Sequence, residues 1–219
     1  MDSVWKEKLW RILFPAQCPF CGKPVAFPAI CCDSCAANLP YLKNNPYQIR
    51  DLPVFSPFSY EGLAEQAVWR LKFYQKPSTA RPLADFLANV LPDSNSFDCI
   101  IPIPMDAKKL RKRGYNQAAL LARFLSEKTG IPVLPEIQKI RPTAEQHTLN
   151  AKERQTNLRD AYRLIHPDRV KDRHILLCDD VITTGATIQE AASLLMQAGA
   201  ASVTAAAVTL ASVFPETQS

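Results

Sequence analysis

The stretch from His174 to Gly199 constrains the fold more than any other part of the chain. It reads HILLCDD, then VITTGAT running into TIQEAASLLMQA, then glycine. An apolar run of strand length closed by two acids predicts a buried strand over 174–180. Apolar residues at helical spacing predict a helix over 187–198, with Gly199 as its stop. SVTAAAVTL (202–210) predicts another strand. Strands alternating with helices imply a parallel sheet with right-handed crossovers.

The rest of the chain keeps that alternation. FDCIIPIP (97–104) reads as a buried strand ended by proline. Helices are expected from Glu61 to Tyr74, with Leu63, Ala67, Val68 and Leu71 on one face, and from Thr79 to Val90. A third runs from Tyr115 to Lys128, with Leu120, Leu121, Phe124 and Leu125 inward and Gly130 after its end. DLPVFSPFSY (51–60) reads as an extended edge segment, because its prolines exclude a central strand. Residues 131–172 read as polar and irregular apart from an apolar stretch at 131–137. No internal repeat or low-complexity tract interrupts the pattern.

Two carboxylates at the end of a buried strand need a reason. Ligands of open α/β sheets bind at the carboxyl ends of strands, where Asp179 and Asp180 are expected. The turn that follows supplies backbone N–H groups and the hydroxyls of Thr183, Thr184 and Thr187 at a helix N-terminus, where phosphate is favoured. Gly185 lets the backbone approach closely. Acids repel phosphate but suit vicinal sugar hydroxyls or Mg²⁺. A ribose 5-phosphate satisfies both halves. The bland alternative, an N-cap threonine after a surface strand end, needs one hydroxyl rather than three. The other phosphate motifs, G-x-x-x-x-G-K-[ST] and G-x-G-x-x-G, are missing from the sequence.

LLCDDVITTGAT resembles the phosphoribosyl-pyrophosphate (PRPP) signature of type I phosphoribosyltransferases. The resemblance implies that Asp179 and Asp180 contact the ribose 2′ and 3′ hydroxyls. It also implies that Thr183, Thr184, Gly185, Ala186 and Thr187 bind the 5-phosphate.

A pyrophosphate end is expected at IPIPMDAKKLRKRGYNQAALLA (101–122), where five of the six residues from Lys108 to Arg113 are basic. Lys109, Arg111 and Arg113 are the candidate contacts to a leaving pyrophosphate, together with Mg²⁺. Arg113-Gly114 is expected at the start of the next helix. A solvated basic surface or a nucleic-acid patch is the competing reading of this run. The polar segment 141–162 reads as a flap over the same site. His147 within it has the residue type of an acid or base, but a lone histidine in a polar loop is more often merely exposed.

Five of the seven cysteines lie between Cys18 and Cys35. CPFC (18–21) and CDSC (32–35) are two C-x₂-C pairs with ten residues between them. Two such knuckles supply four thiolates and close a tetrahedral Zn²⁺ site with no open position, so the expected role is structural. The candidate ligands are Cys18, Cys21, Cys32 and Cys35; Cys31 is the rival of Cys32, which keeps the C-x₂-C spacing. Cys99 and Cys178 read as small buried apolar residues.

Together, the four-cysteine module ending in NLP (38–40), RGYNQ (113–117), the QHTL…ER…N segment (146–157) and DDVITTGAT resemble the ComF family over nearly the whole chain. The resemblance implies a type I phosphoribosyltransferase fold, α/β with a parallel sheet, carrying a small N-terminal zinc-binding module. It also implies an association with DNA uptake and natural transformation. The expected division is a helix and zinc module over 1–50 and a phosphoribosyltransferase-like domain over 51–219. The N-terminal stretch carries Lys6, Glu7 and Lys8 where a signal peptide needs an apolar core, so it reads as an amphipathic helix with Trp5, Leu9, Ile12 and Leu13 on one face. No apolar run is long enough to span a bilayer, which together points to a cytoplasmic protein. Two classes of function remain open. One is a phosphoribosyltransferase releasing pyrophosphate to an acceptor the sequence does not name. The other is a non-catalytic factor that binds PRPP or single-stranded DNA and meets the DNA-uptake machinery. The net charge of +5 fits either anionic ligand.

Overall fold

The structure is a computed structural model that describes residues 16–26, 28–73, 76–140 and 161–211. The expected N-terminal helix, Tyr74, residues 141–160 of the expected flap and His147 lie outside the described residues.

A short helix α1 (Asp33–Ala36) precedes strands β1 (Tyr47–Ile49), β2 (Leu52–Phe55) and β3 (Phe58–Ser59). Helices α2 (Gly62–Phe73) and α3 (Ala80–Ala88) lead to β4 (Cys99–Pro102). Helices α4 (Ala107–Arg113) and α5 (Gln117–Thr129) follow, then β5 (Ile137–Lys139) and β6 (Tyr162–Leu164). The described part closes with β7 (His174–Ile182), α6 (Ala186–Gln197) and β8 (Ser202–Leu210).

The main sheet has the order β1-β2-β8-β7-β4, with β3 also paired to β8. All its pairings are parallel except β1 with β2. Side chains alternate between its two faces, as strand geometry requires. Ile101, Ile175, Leu177, Ala205 and Ala207 join one buried cluster, with Ile188, Ala191 and Leu195 of α6. Ile100, Leu176, Cys178, Ala206 and Val208 join the other, with residues of α2, α3 and α5. Both faces are covered, which explains why β7 and β8 read as continuous apolar runs. Each fully buried Leu or Ile contributes about 1.5–3 kcal/mol of transfer free energy. Cys18, Phe20 and Cys35 of the cysteine segment belong to the second cluster, so that segment packs on the face that α2 covers.

Four expectations need correction. The segment 51–60 is not an edge: β2 lies between β1 and β8, and Pro53 is tolerated because β2 pairs with β8 only through Val54 and Phe55. The region 131–172 is not irregular throughout, since β5 and β6 form a separate antiparallel pair. Strand β7 runs on through Val181 and Ile182, two residues past its expected end at Asp180. Arg113-Gly114 does not start a helix: it ends α4, which the basic run forms by itself.

Candidate functional site

Asp179 and Asp180 are consecutive on β7, so their side chains leave the sheet on opposite faces. Asp180 belongs to the face covered by α2, and Lys72 of that helix places Nζ 3.1 Å from its Oδ2. This ammonium is the counter-charge of the buried carboxylate. Asp180 is only 6% exposed, so the Lys72 ammonium is what offsets the cost of burying its charge.

Asp179 faces the other way, toward the small sheet. Its Oδ1 accepts the Asp180 backbone N–H at 2.8 Å. Burial first, and the neighbouring Asp180 second, push its carboxyl well above the ordinary carboxylate range. Two groups that sequence reasoning missed stand near it. Lys139 of β5 is held below the usual lysine range by burial, against the opposing pull of Asp106 and Asp179. The Tyr162 hydroxyl is pushed up to about 12, by burial and then by the Asp179 charge, while a hydrogen bond with Thr187 acts in the opposite sense. The Lys139 ammonium lies 5.7 Å from the centroid of the Tyr162 ring. Neither residue carries a local motif, so no pattern in the sequence pointed to them.

The turn after the acids, Thr183 to Gly185, delivers the chain to the N-terminus of α6. Gly185 is the cap residue at φ +73°, a backbone position that other residues adopt at a cost. The glycine cap has no side chain to offer, and Thr184 Oγ1 accepts the Ala186 N–H at a long 3.5 Å. Thr184 thus makes only a long contact with the start of α6, Thr187 hydrogen-bonds the Tyr162 hydroxyl, and a helix N-terminus of this kind favours an anion. Ala186 and Thr187 lie in the first turn of the helix rather than in the loop.

The basic run lies beyond the carboxyl end of β4, which pairs with β7. Asp106 caps α4, accepting the N–H groups of Lys108 at 2.9 Å and Lys109 at 3.3 Å. No residue of α4 is buried, so Lys109 and Arg111 present their charges to solvent, with Arg113 half-buried at the end. Lys139 senses Asp106, Lys109 and Asp179 together, which brings the α4 end and the acid-pair end within electrostatic reach. RGYNQ ends α4 and begins α5, and its side chains are tied to neighbouring elements. Arg113 lies over Phe73 at 5.3 Å, and Tyr115 O–H donates to the Leu71 carbonyl at 2.6 Å. Asn116 caps α5 and donates to the Ile103 carbonyl at 2.9 Å.

The structure also brings Cys18, Cys21, Cys32 and Cys35 together, with all four Sγ atoms within 4.8 Å of one another. Cys32, not Cys31, completes the group. Cys21 and Cys32 Sγ stand 3.7 Å apart. A tetrahedral ion with Zn–S of about 2.3 Å requires edges of about 3.8 Å, so the donor set and spacing fit such an ion. Burial alone would raise the Cys18 thiol, yet backbone contacts from Cys21, Cys32 and Phe20 outweigh it and bring it down to about 7. Cys35 moves the other way, pushed up by burial and then by its hydrogen bonds with Cys32, Cys21 and Cys18, so the thiols share protons and Cys18 is the one most ready to be a thiolate.

Among the described residues, no helix is long and apolar enough to cross a membrane. The family model "Phosphoribosyl transferase domain" matches residues 73–212. The chain is 35% identical over 193 residues to DNA utilization protein YhgH of Salmonella typhimurium, covering 85% of this chain and 80% of that protein. It is 34% identical over 194 residues to competence protein F of Haemophilus influenzae, with the same coverage of 85% and 80%. Competence protein ComFC of Bacillus subtilis is 28% identical over 195 residues, or 84% of this chain and 73% of the relative. Among solved structures, a purine phosphoribosyltransferase from Pyrococcus horikoshii Ot3 is 21% identical, covers 66% of this chain and 82% of its own, and has a TM-score of 0.35, too low to carry an argument. With the matched domain spanning both β4 and the β7–α6 turn, the chain belongs to the phosphoribosyltransferase domain family, in the ComF group of its competence and DNA-utilization relatives.

Proposed function

We propose that this protein binds PRPP with Mg²⁺ and transfers the phosphoribosyl group to an acceptor. The observation that carries the reading is the buried Asp180, paired with Lys72 on β7, followed by a short turn through the left-handed Gly185 into the N-terminus of α6. Asp179 and Asp180 take the ribose hydroxyls, and Thr183, Thr184, Gly185, Ala186 and Thr187 take the 5-phosphate. Lys109, Arg111 and Arg113 take the pyrophosphate, whose charge Mg²⁺ shares. In the transfer, the bond from ribose C1 to the pyrophosphate oxygen breaks and its electron pair leaves with pyrophosphate. The acceptor forms the new bond to C1 and gives up a proton. The acid pair steadies the electron-poor ring as the leaving group departs. The four cysteines hold a structural Zn²⁺. Relatives named for DNA utilization and competence support a place in the uptake or use of external DNA, with the protein working in the cytoplasm. The test is an acceptor screen with Mg-PRPP that reports pyrophosphate, run on wild type and on Asp179→Asn/Asp180→Asn. Release by wild type and none by the double variant is expected; equal release by both would remove the acid pair from the reaction.

A second reading has its own observation. Trp69 and Phe73 are exposed at 46% and 58%, with ring centroids 4.7 Å apart. Arg113 and the basic α4 lie beside them. Aromatic faces beside a cationic helix suit single-stranded DNA, whose bases stack while its phosphates meet the charges. In this reading the protein is a non-catalytic factor that receives single strands or senses PRPP. Affinity for an oligonucleotide should then fall steeply with salt. A salt-insensitive interaction, or none, would count against it.

A further inference from the structure

Helix α2 touches both the cysteine cluster and the acid pair, through residues two positions apart. Arg70 Nη2 donates to the Cys21 carbonyl at 3.0 Å. Lys72 Nζ stands 3.1 Å from Asp180 Oδ2. Two positions on an α-helix are separated by about 200° of rotation, so one turn of helix presents these side chains to opposite neighbours. Leu71 between them is fully buried, and its carbonyl accepts the Tyr115 hydroxyl at 2.6 Å. The cysteine side is equally fixed. Phe20, with no exposed surface, packs its ring 5.7 Å from both Phe58 and Phe86. Gly22 is at φ +79°, and a Cβ there would come within 2.7 Å of Arg70 Nη1. The knuckle is shaped around the guanidinium.

We propose that Lys72 is a ligand-positioning cation of the acid pair and that the cysteine module holds it in place through Arg70. The inference rests on the PRPP reading of the site. A lysine side chain has many rotamers, so the point from which it springs must be well fixed for it to serve one carboxylate. Here that point is fixed from two sides, by Arg70 on the knuckle and by Tyr115 on the Leu71 carbonyl. Lys72 keeps Asp180 paired while the site awaits its sugar, and it keeps a positive charge beside a ligand that is itself an anion. On this account the module is part of the binding site's frame, although none of its side chains reaches the sugar or the phosphates.

The experiment is a double-mutant cycle read by calorimetric titration of the zinc-loaded, full-length protein with Mg-PRPP. Lys72→Met should weaken binding about tenfold, a difference of about 1.4 kcal/mol. Arg70→Met should weaken it about three- to fivefold, and the double variant should bind no more weakly than Lys72→Met alone. Zinc content and thermal melting are measured on every variant, because a purely structural Arg70 would lower melting and act independently of Lys72. Should Arg70→Met fail to fold, Arg70→Lys takes its place: it keeps stem and charge but gives up the guanidinium's reach to the Cys21 carbonyl. Unchanged or tighter binding by Lys72→Met overturns the role of Lys72. Additive losses overturn the link through Arg70. If wild type itself does not bind Mg-PRPP, the function proposed above fails first and this inference falls with it.

Discussion

Asp179 and Asp180 are neighbours in sequence and live in different surroundings. Asp180 projects to a face built from a long helix and a cysteine cluster, and a lysine meets it directly. Asp179 projects to a face finished by two three-residue strands, where burial and the adjacent acid keep its carboxyl reluctant to ionise. One strand thus offers a ligand one carboxyl with a lysine beside it and one raised by burial and by its neighbour. The pair works as two different acceptors rather than as a doubled one, and each depends on its own supporting layer.

The harshest way to break this contrast is to remove the support of the Asp180 face. Cys32→Ser should lose the metal and destabilise the protein by several kcal/mol, seen as a large fall in melting temperature with zinc loss by elemental analysis. Cys31→Ser, which alters the neighbouring thiol outside the four-sulfur group, should leave zinc content unchanged. Next in size is the ligand effect. Asp180→Asn should weaken PRPP at least tenfold, about 1.4 kcal/mol, by calorimetry. Asp179→Asn removes a charge that burial already opposes, with no lysine paired to it directly, and should weaken it less. Equal losses would erase the distinction between the two acids. Smaller again, Gly22→Ala forces a side chain into a left-handed backbone position against Arg70 and should cost about 1 kcal/mol in a urea titration.

The subtlest difference is in pH. A carboxyl whose folded pKa is raised contributes stability that is complete below its unfolded value, near 3.8 for Asp179, and is lost as pH rises through the folded value. Asp179→Asn should therefore flatten the fall in stability on going from acid to neutral pH. Glu136, on the small-sheet side, has the opposite sign. Burial pulls its carboxyl up, but His166 at 3.0 Å and Arg169 at 3.1 Å outweigh that and hold it below the ordinary range. Its contribution is present above its unfolded value and lost as pH falls through the lowered one, so Glu136→Gln should blunt acid sensitivity. Urea midpoints for both variants across a pH series test the two signs together.

What could be read from sequence was whatever is written locally. Strand β7, its turn and α6 are consecutive, so periodicity and residue chemistry declared them, and C-x₂-C spacing chose Cys32 over Cys31. Lys72 was invisible because it sits in a different helix, more than a hundred positions from Asp180, and reads there as an ordinary charge on a solvated face. Strands β5 and β6 were missed because each has three residues and they pair across a long intervening segment. Pro53 misled for a simpler reason: a proline rules out a hydrogen bond at one residue, and the two residues after it were enough to join β8.

Between the two faces of the central sheet runs β8, with Ala205, Ala206 and Ala207 at its middle and Ala207 in register with Asp179. Its side chains there are single methyl groups. Helices on one side and α6 on the other can close in only because that partition is so thin. A bulkier residue at any of the three would wedge one layer outward, and the strain would be felt beside the acid pair. The two acids leave opposite faces of one strand, and the single methyl groups beside them on β8 let each supporting layer come close to its own acid.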